Sequence, residues 1–293
     1  MANIRILADT STDISFEQAR EYGIDLFSIP LTVDTTGYQD GVDFTPEEFY
    51  KLLNTTSVLP TTSHIPLPLT SEAYEKAYSD GCEAVIHLCN SSKTSGMFST
   101  SNLAKRQFFE EHPEAEGKFR IEPIDTRSFS LAYGMPAILA AKKRAEGGSV
   151  DEVLAVIDEV INRVEIYMAL YDLKFAKLSG RISAAAAVVG SVIGIKPIMS
   201  MIDGETKTID KVRGEKAVIP RLVQAVKENM VGEPFFYVAA GETLQEGKDL
   251  QKALEKEFKT KSSGFFRLGA AVSINAGPKA VAVYVLGKDR RNK

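Results

Sequence analysis

The sequence predicts an α/β protein. The expectation is an N-terminal domain with a mostly parallel sheet flanked by helices, then a C-terminal α+β domain of two layers. Three observations predict it. Over the first half, short apolar runs alternate with polar loops and helix-like segments, the pattern of parallel strands joined by crossover helices. In the second half that alternation gives way to a hairpin pattern. The chain is 293 residues long, room for about two domains that each bury a core. The expected boundaries are 1–164 and 165–293, with a hairpin insertion near 30–45.

The elements follow in order. Ile4 to Ala8 is a short apolar run that ends in the polar turn Asp9 to Asp13. A helix is expected from Phe16 to Tyr22 and a strand from Ile24 to Val33. Asp34 to Asp43 reads as a hairpin on Gly37 and Gly41. Thr45-Pro46-Glu47-Glu48 is a capping box with Pro at the first helical position, so a helix runs to about Leu53. After the polar loop Asn54 to Ser63, a helix is expected from Ser71 to Ser79, stopped by Gly81. Ala84 to Leu88 is a buried strand, Met97 to Phe109 a helix, and Phe119 to Pro123 a strand. Gly147-Gly148 ends a long helix, and Ser149 with Glu152 opens the next. Ile182 to Ile195 is the most apolar stretch, too short to span a bilayer, and is expected to be a buried helix ended by Lys196-Pro197. Lys196 to Ile202 and Glu205 to Val212 form a hairpin over Asp203-Gly204. Helices follow at Lys216 to Met230 and Leu244 to Phe258, and strands at Phe235 to Ala239 and Ala280 to Leu286.

Composition narrows the chemistry. Lys plus Arg is 35 and Asp plus Glu is 39, a net charge of −4 with the signs interspersed. Nothing there favours nucleic acid or an anionic membrane as the main partner. The three histidines, His64, His87 and His112, are scattered, so no metal site is expected. Cys82 and Cys89 read as reduced, buried residues. The start lacks a signal-peptide pattern and no stretch is a membrane span, so a cytoplasmic protein is expected.

Four hydroxyl-rich clusters remain: Asp9 to Asp13, Thr61-Thr62-Ser63-His64, Ser91 to Gly96, and Asp125 to Ser128. At least three follow an expected strand, and loops at the carboxyl ends of parallel strands converge on one crevice. Hydroxyls with free amides at a helix start suit a small anion, and Ser95-Gly96 is the best case. The same residue types also serve as ordinary caps and turns. Catalytic patterns are missing. There is no Gly-x-Ser-x-Gly elbow, no nucleotide-type glycine loop, and only His64 lies near the hydroxyls. Asp9 and Asp125 can face each other or simply cap.

Six motifs occur in a fixed order: Asp9-Thr10-Ser11-Thr12-Asp13; Ile29-Pro30-Leu31-Thr32-Val33 with Gly37 to Asp43; Pro60-Thr61-Thr62-Ser63; Ser91-Ser92-Lys93-Thr94-Ser95-Gly96; Gly180-Arg181-Ile182-Ser183; and Ile195-Lys196-Pro197-Ile198. Together they resemble the DegV family, bacterial fatty-acid-binding proteins that act as the acyl carrier subunit of a fatty acid kinase. The resemblance covers the whole length. It implies a long-chain fatty acid such as palmitate, stearate or oleate, bound between the two domains, with no other cofactor. It implies a head group held by Thr62, Ser63, Ser92, Ser95, Gly96 and Asn275, with His64, Arg181 and Ser128 nearby. It implies a tail beside Ala186, Val189, Gly190 and Ile193. Arg213 would dock a kinase partner that makes the acyl phosphate, so the chain itself would be a non-catalytic carrier. The competing reading of the same loops is a sugar-phosphate-binding enzyme or sensor.

Two departures stand out. The family's Thr-Ser-Gln-Pro-Ser reads Thr62-Ser63-His64-Ile65-Pro66, and its His-x-Gly-Pro-Gly reads Asn275-Ala276-Gly277-Pro278-Lys279. Asn275 can donate a hydrogen bond but never carries charge.

Overall fold

Strand β1 (Ile4–Asp9) is buried along nearly its whole length, as a central strand covered on both faces must be. The structure is a computed structural model and describes residues 3–182 and 194–292. Besides β1, its elements are α1 (Phe16–Tyr22), β2 (Asp25–Phe27), β3 (Pro30–Val33), β4 (Thr36–Gln39), α2 (Pro46–Thr55), β5 (Thr61–Thr62), α3 (Leu67–Ser79), β6 (Ala84–Cys89), α4 (Met97–Glu111), β7 (Arg120–Asp125), α5 (Leu131–Ala145), α6 (Val150–Arg163), β8 (Val164–Leu170), α7 (Lys174–Ser179), β9 (Ile195–Ile202), β10 (Glu205–Arg213), α8 (Val218–Asn229), β11 (Phe236–Ala240), α9 (Leu244–Phe258), β12 (Gly264–Arg267), α10 (Ala270–Ala276) and β13 (Ala280–Leu286). The mixed α/β class is the one the sequence predicts. No helix among the described residues is long and apolar enough to cross a membrane.

The chain divides into two compact units, residues 1–30 with 63–161, and residues 31–62 with 162–293. The first unit is built on a four-stranded, all-parallel sheet in the order β2-β1-β6-β7. Its register sets Ile6 opposite Ile86, and Ile86 opposite Glu122. On one face α3 and α4 pack together over Leu7, Val85 and Ile121, with Tyr74, Phe108 and Phe119 filling the core. On β1 lies α5, whose Ala-rich sequence lets it sit close and buried from Leu131 to Ile138.

The second unit holds a six-stranded mixed sheet, β10-β9-β8-β13-β11-β12, antiparallel except between β11 and β12. Its core joins Leu222 and Val226 of α8, Leu250 and Leu254 of α9, and Val238, Val281 and Val283 of the sheet. A small sheet of order β4-β3-β5 completes it.

The structure differs from the sequence reading at several places. The single strand expected from Ile24 to Val33 is two strands in two sheets. Pro30, which has no amide to give a ladder, begins the second of them. Residues 31–62 therefore group with the second unit and not with the N-terminal domain. Four contacts hold them there: Tyr50 donates to the Leu268 carbonyl, Glu47 pairs with Arg267 at 3.0 Å, Asn54 donates to Glu242 at 3.0 Å, and Asp40 accepts from Ala270 and Ala271. Helix α3 begins at Leu67 rather than Ser71, because Pro68 is compatible with a first turn that needs no amide. Of the expected buried helix Ile182 to Ile195, residues 183–193 lie outside the described residues, and Ile195 opens β9 instead.

Candidate functional site

In the first unit the carboxyl ends of β1, β6 and β7 gather three hydroxyl-rich loops. Asp125, at the end of β7, organises the loop after β6. Its Oδ1 accepts from the Ser92 amide at 3.1 Å and the Arg127 amide at 2.9 Å, and its Oδ2 accepts the Ser92 hydroxyl. Ser92 thus gives its proton to Asp125 and keeps only acceptor capacity. Ser128 enters through its carbonyl, which accepts from the Ser91 amide at 2.8 Å. Ser95 Oγ accepts from the Met97 amide at 3.2 Å, so its own O–H remains available to donate. Gly96 opens α4, and the imidazole of His64 lies against it. A Cβ at Gly96 would sit 3.4 Å from His64 Cε1 and Nδ1. Ser95, Gly96 and His64 are therefore brought together, with Gly96 and His64 exposed. Ser63 is exposed too, its amide spent on the Pro30 carbonyl at 3.1 Å.

The Asp9 to Asp13 cluster belongs to a buried polar layer that also takes in Tyr133 and Ser130, which the sequence reading did not single out. Asp9 is almost wholly buried, and its Oδ1 accepts from the Ser11 amide at 2.8 Å. Burial pushes its carboxyl up, against the lowering effect of the Ser11 contacts. Its Oδ2 has no partner among the described residues. The Asp9 amide donates to the Tyr133 hydroxyl at 3.0 Å. Ser130 adopts φ 55° and ψ −149°, a conformation normally left to glycine, and its hydroxyl donates to Asp13. Ser and Asp at strand ends are ordinary capping residues, so nothing in their type distinguishes this layer from simple turns.

In the second unit, Thr62 sits on β5 opposite Leu31. Helix α10 packs against α2, α7 and β5. Asp40 fixes its start by accepting from the Ala270 and Ala271 amides, each at 3.1 Å, while being 3% exposed. A carboxylate between turn residues such as Gln39 and Gly41 reads as a hairpin residue, which is why sequence reasoning missed this cap. Asp40→Ala is expected to cost about 3 kcal/mol, the loss of two charge-assisted bonds, measured by urea unfolding. Asp40→Asn, with one acceptor oxygen for two amides, should fall between the two.

Near the far end of α10 is Asn275. Its Nδ2 donates to the Ala271 carbonyl at 2.8 Å, and its Oδ1 is buried without a partner among the described residues. Ser179 donates to the Asn275 carbonyl at 3.4 Å, which ties α7 to α10. Gly180, at φ 68°, ends α7 and leads to Arg181, which is exposed. Arg213 is exposed at the end of β10. Ala186, Val189, Gly190 and Ile193 lie outside the described residues.

A parallel-sheet unit with hydroxyl-rich loops at its strand ends, together with a mixed-sheet unit, defines a two-unit α/β protein. The family model described as "Uncharacterised protein, DegV family" matches residues 3–288. The chain belongs to the DegV family. A DegV domain-containing protein of Caldanaerobacter subterraneus subsp. tengcongensis is 32% identical over 288 residues, covering 97% of this chain and 99% of that one. Solved structures of the same fold include a stearic-acid-binding protein from Eubacterium ventriosum, with TM-score 0.87 and 20% identity over 99% of this chain and all of that one. They also include a fatty-acid-binding DegV family protein from Thermus thermophilus, with TM-score 0.84 and 23% identity over 98% of this chain and all of that one. DegV of Bacillus subtilis, a fatty acid binding protein, matches with TM-score 0.83 and 23% identity over 98% of this chain and all of that one.

Proposed function

We propose that this protein binds a long-chain fatty acid, buries its tail in a tunnel, and presents the head group to a kinase partner for acyl phosphate formation. The observation that carries the reading is the whole-length fold match to structures described as fatty-acid-binding, joined to the grouping of Ser95, Gly96 and His64. The proposed head-group residues are Ser63, Ser92, Ser95 and Gly96, supported by His64, Ser128 and Arg181, together with Thr62 and Asn275. Ala186, Val189, Gly190 and Ile193 are proposed along the tail, and Arg213 at the docking surface.

The energetics suit a carrier. Burying a tail of about 16 carbons at about 0.8 kcal/mol per methylene contributes on the order of 10 kcal/mol gross. The head then needs only orientation, which neutral hydroxyls supply.

The protein purified from bacteria is expected to carry fatty acid visible by native mass spectrometry. After delipidation it should be stabilised against heat by palmitate or oleate. Thr62→Val and Ser95→Ala are each expected to weaken palmitate binding about fivefold to tenfold, the loss of one hydrogen bond of about 1 kcal/mol or slightly more, without lowering the melting temperature of the lipid-free protein. Stabilisation by a phosphosugar, with none by either fatty acid, would replace this reading with the sugar-phosphate one.

A further inference from the structure

The seven residues of α10 read Ala-Ala-Val-Ser-Ile-Asn-Ala, and two of them carry polar side chains. Both leave a buried atom unsatisfied. Ser273 is 0% exposed, and its Oγ has no hydrogen-bond partner among the described residues. Asn275 Oδ1 is likewise buried without a partner among the described residues. An unpaired buried polar atom costs about 1–3 kcal/mol, so two on one short helix call for a partner that the described residues do not supply.

The orientation of the Asn275 amide is set by its neighbour. The group 2.8 Å from the side chain is the Ala271 carbonyl, an acceptor only. Only the NH₂ end can face it, so the oxygen must face away. What Asn275 offers at its free end is therefore an acceptor. An ionised carboxylate carries only acceptors, and two acceptors brought together repel and stay unpaired. An O–H or N–H donor fits. Thr62, on the strand packed against α10, has a hydroxyl that suits either kind of group.

We infer that the second unit, through Asn275 Oδ1, selects an acyl ligand whose head group is neutral and carries a hydrogen-bond donor, in preference to an ionised carboxylate. The candidate heads are a protonated carboxylic acid, a primary alcohol and a primary amide. The inference rests on the acyl-binding half of the proposed function. Charged and titratable side chains on the elements against α10 are Glu47, Glu48, Tyr50 and Lys51 on α2, and Lys174 and Lys177 on α7. Asp40 caps its start. None of them hydrogen-bonds Asn275 Oδ1.

The test uses the delipidated full chain and four ligands with matched tails: hexadecanamide, hexadecan-1-ol, palmitic acid and methyl palmitate, titrated at pH 6 and pH 8. Hexadecanamide and hexadecanol are expected to bind equally at both pH values. Palmitic acid should weaken by about tenfold per pH unit, because only its protonated fraction binds. Methyl palmitate, with the same tail and no donor, should bind at least about tenfold more weakly than the amide. The carbonyl resonance of bound [1-¹³C]palmitic acid should stay at the protonated-acid position at pH 7. Asn275→Leu should erase the amide's advantage over the methyl ester, and the ligand series on the unaltered chain decides the matter if that variant does not fold. Palmitate binding equally at pH 6 and 8, with an ionised carbonyl resonance, overturns the inference and leaves fatty-acid binding standing. Methyl palmitate matching the amide overturns it as well. No binding of any of the four removes the acyl-binding reading and the inference with it.

Discussion

Gly241→Ala is expected to destabilise the second unit by about 3 kcal/mol or more, seen as a lowered urea midpoint. Gly241 follows β11, and its amide donates to the Ala280 carbonyl at 3.0 Å. The next amide, of Glu242, donates to the Pro278 carbonyl at 2.7 Å. These bonds clamp the Gly277-Pro278-Lys279 turn against the end of β11. A Cβ at Gly241 would lie 2.0 Å from the Pro278 carbonyl oxygen and 3.0 Å from its carbon, both backbone atoms. Neither can swing aside as a flexible side chain would, so the strand end or the turn must shift. That turn begins two residues after Asn275, so the lipid binding proposed above should weaken along with stability. Gly37→Ala is the control: nothing lies within 4 Å of its added Cβ, and it should change stability by less than about 0.5 kcal/mol. A Gly241→Ala protein as stable as the parent would show that the turn yields freely.

The second large effect is acid sensitivity from His87. Its Nδ1 lies 3.0 Å from the Tyr74 hydroxyl and 3.2 Å from Ser101 Oγ, and its Nε2 has no partner among the described residues. The ring is fully buried, and burial pushes its pKa down to about 3. The unfolded chain protonates this group near its ordinary value of about 6.5, and the folded chain does not. Stability from this residue is therefore complete above about pH 6.5 and is lost as pH falls toward about 3. At pH 5 the loss is about 2 kcal/mol relative to pH 7.5, from about 1.36 kcal/mol per unit over about 1.5 units. His87→Asn keeps a polar atom near the Nδ1 position and removes the titration. Urea unfolding at both pH values should show the variant losing about 2 kcal/mol less than the parent between them. Equal losses would mean that the folded protein admits the proton.

Local signals are enough for much of the fold. The capping box at Thr45 and Glu48 forms, with Glu48 accepting from the Thr45 amide at 2.9 Å. The hairpin over Asp203-Gly204 is β9 and β10, with Met201 opposite Thr206. Both are set within a few residues, so one sequence shows them. The helix α10 and the strands β8 and β12 do not stand out in the sequence. Each is short or bounded by weak punctuation, and each is held by partners far along the chain: Tyr284 lies opposite Ile166, and Ala240 opposite Arg267. For the site, the hydroxyl loops are visible as clusters, but not which hydroxyls remain free. Ser92 and Ser95 look equivalent in sequence. Only the arrival of Asp125 from a strand 33 residues away commits one of them.

By itself, then, the sequence determined the α/β class and the hydroxyl loops at the strand ends, because each depends on residue type and short spacing. Tertiary structure decided that residues 31–62 join the second unit, since Tyr50, Glu47, Asn54 and Asp40 find partners there more than 180 residues ahead. It also decided which end of the Asn275 amide is free. A side-chain amide is both donor and acceptor, and only the carbonyl that faces it, here that of Ala271, settles which it offers to a ligand.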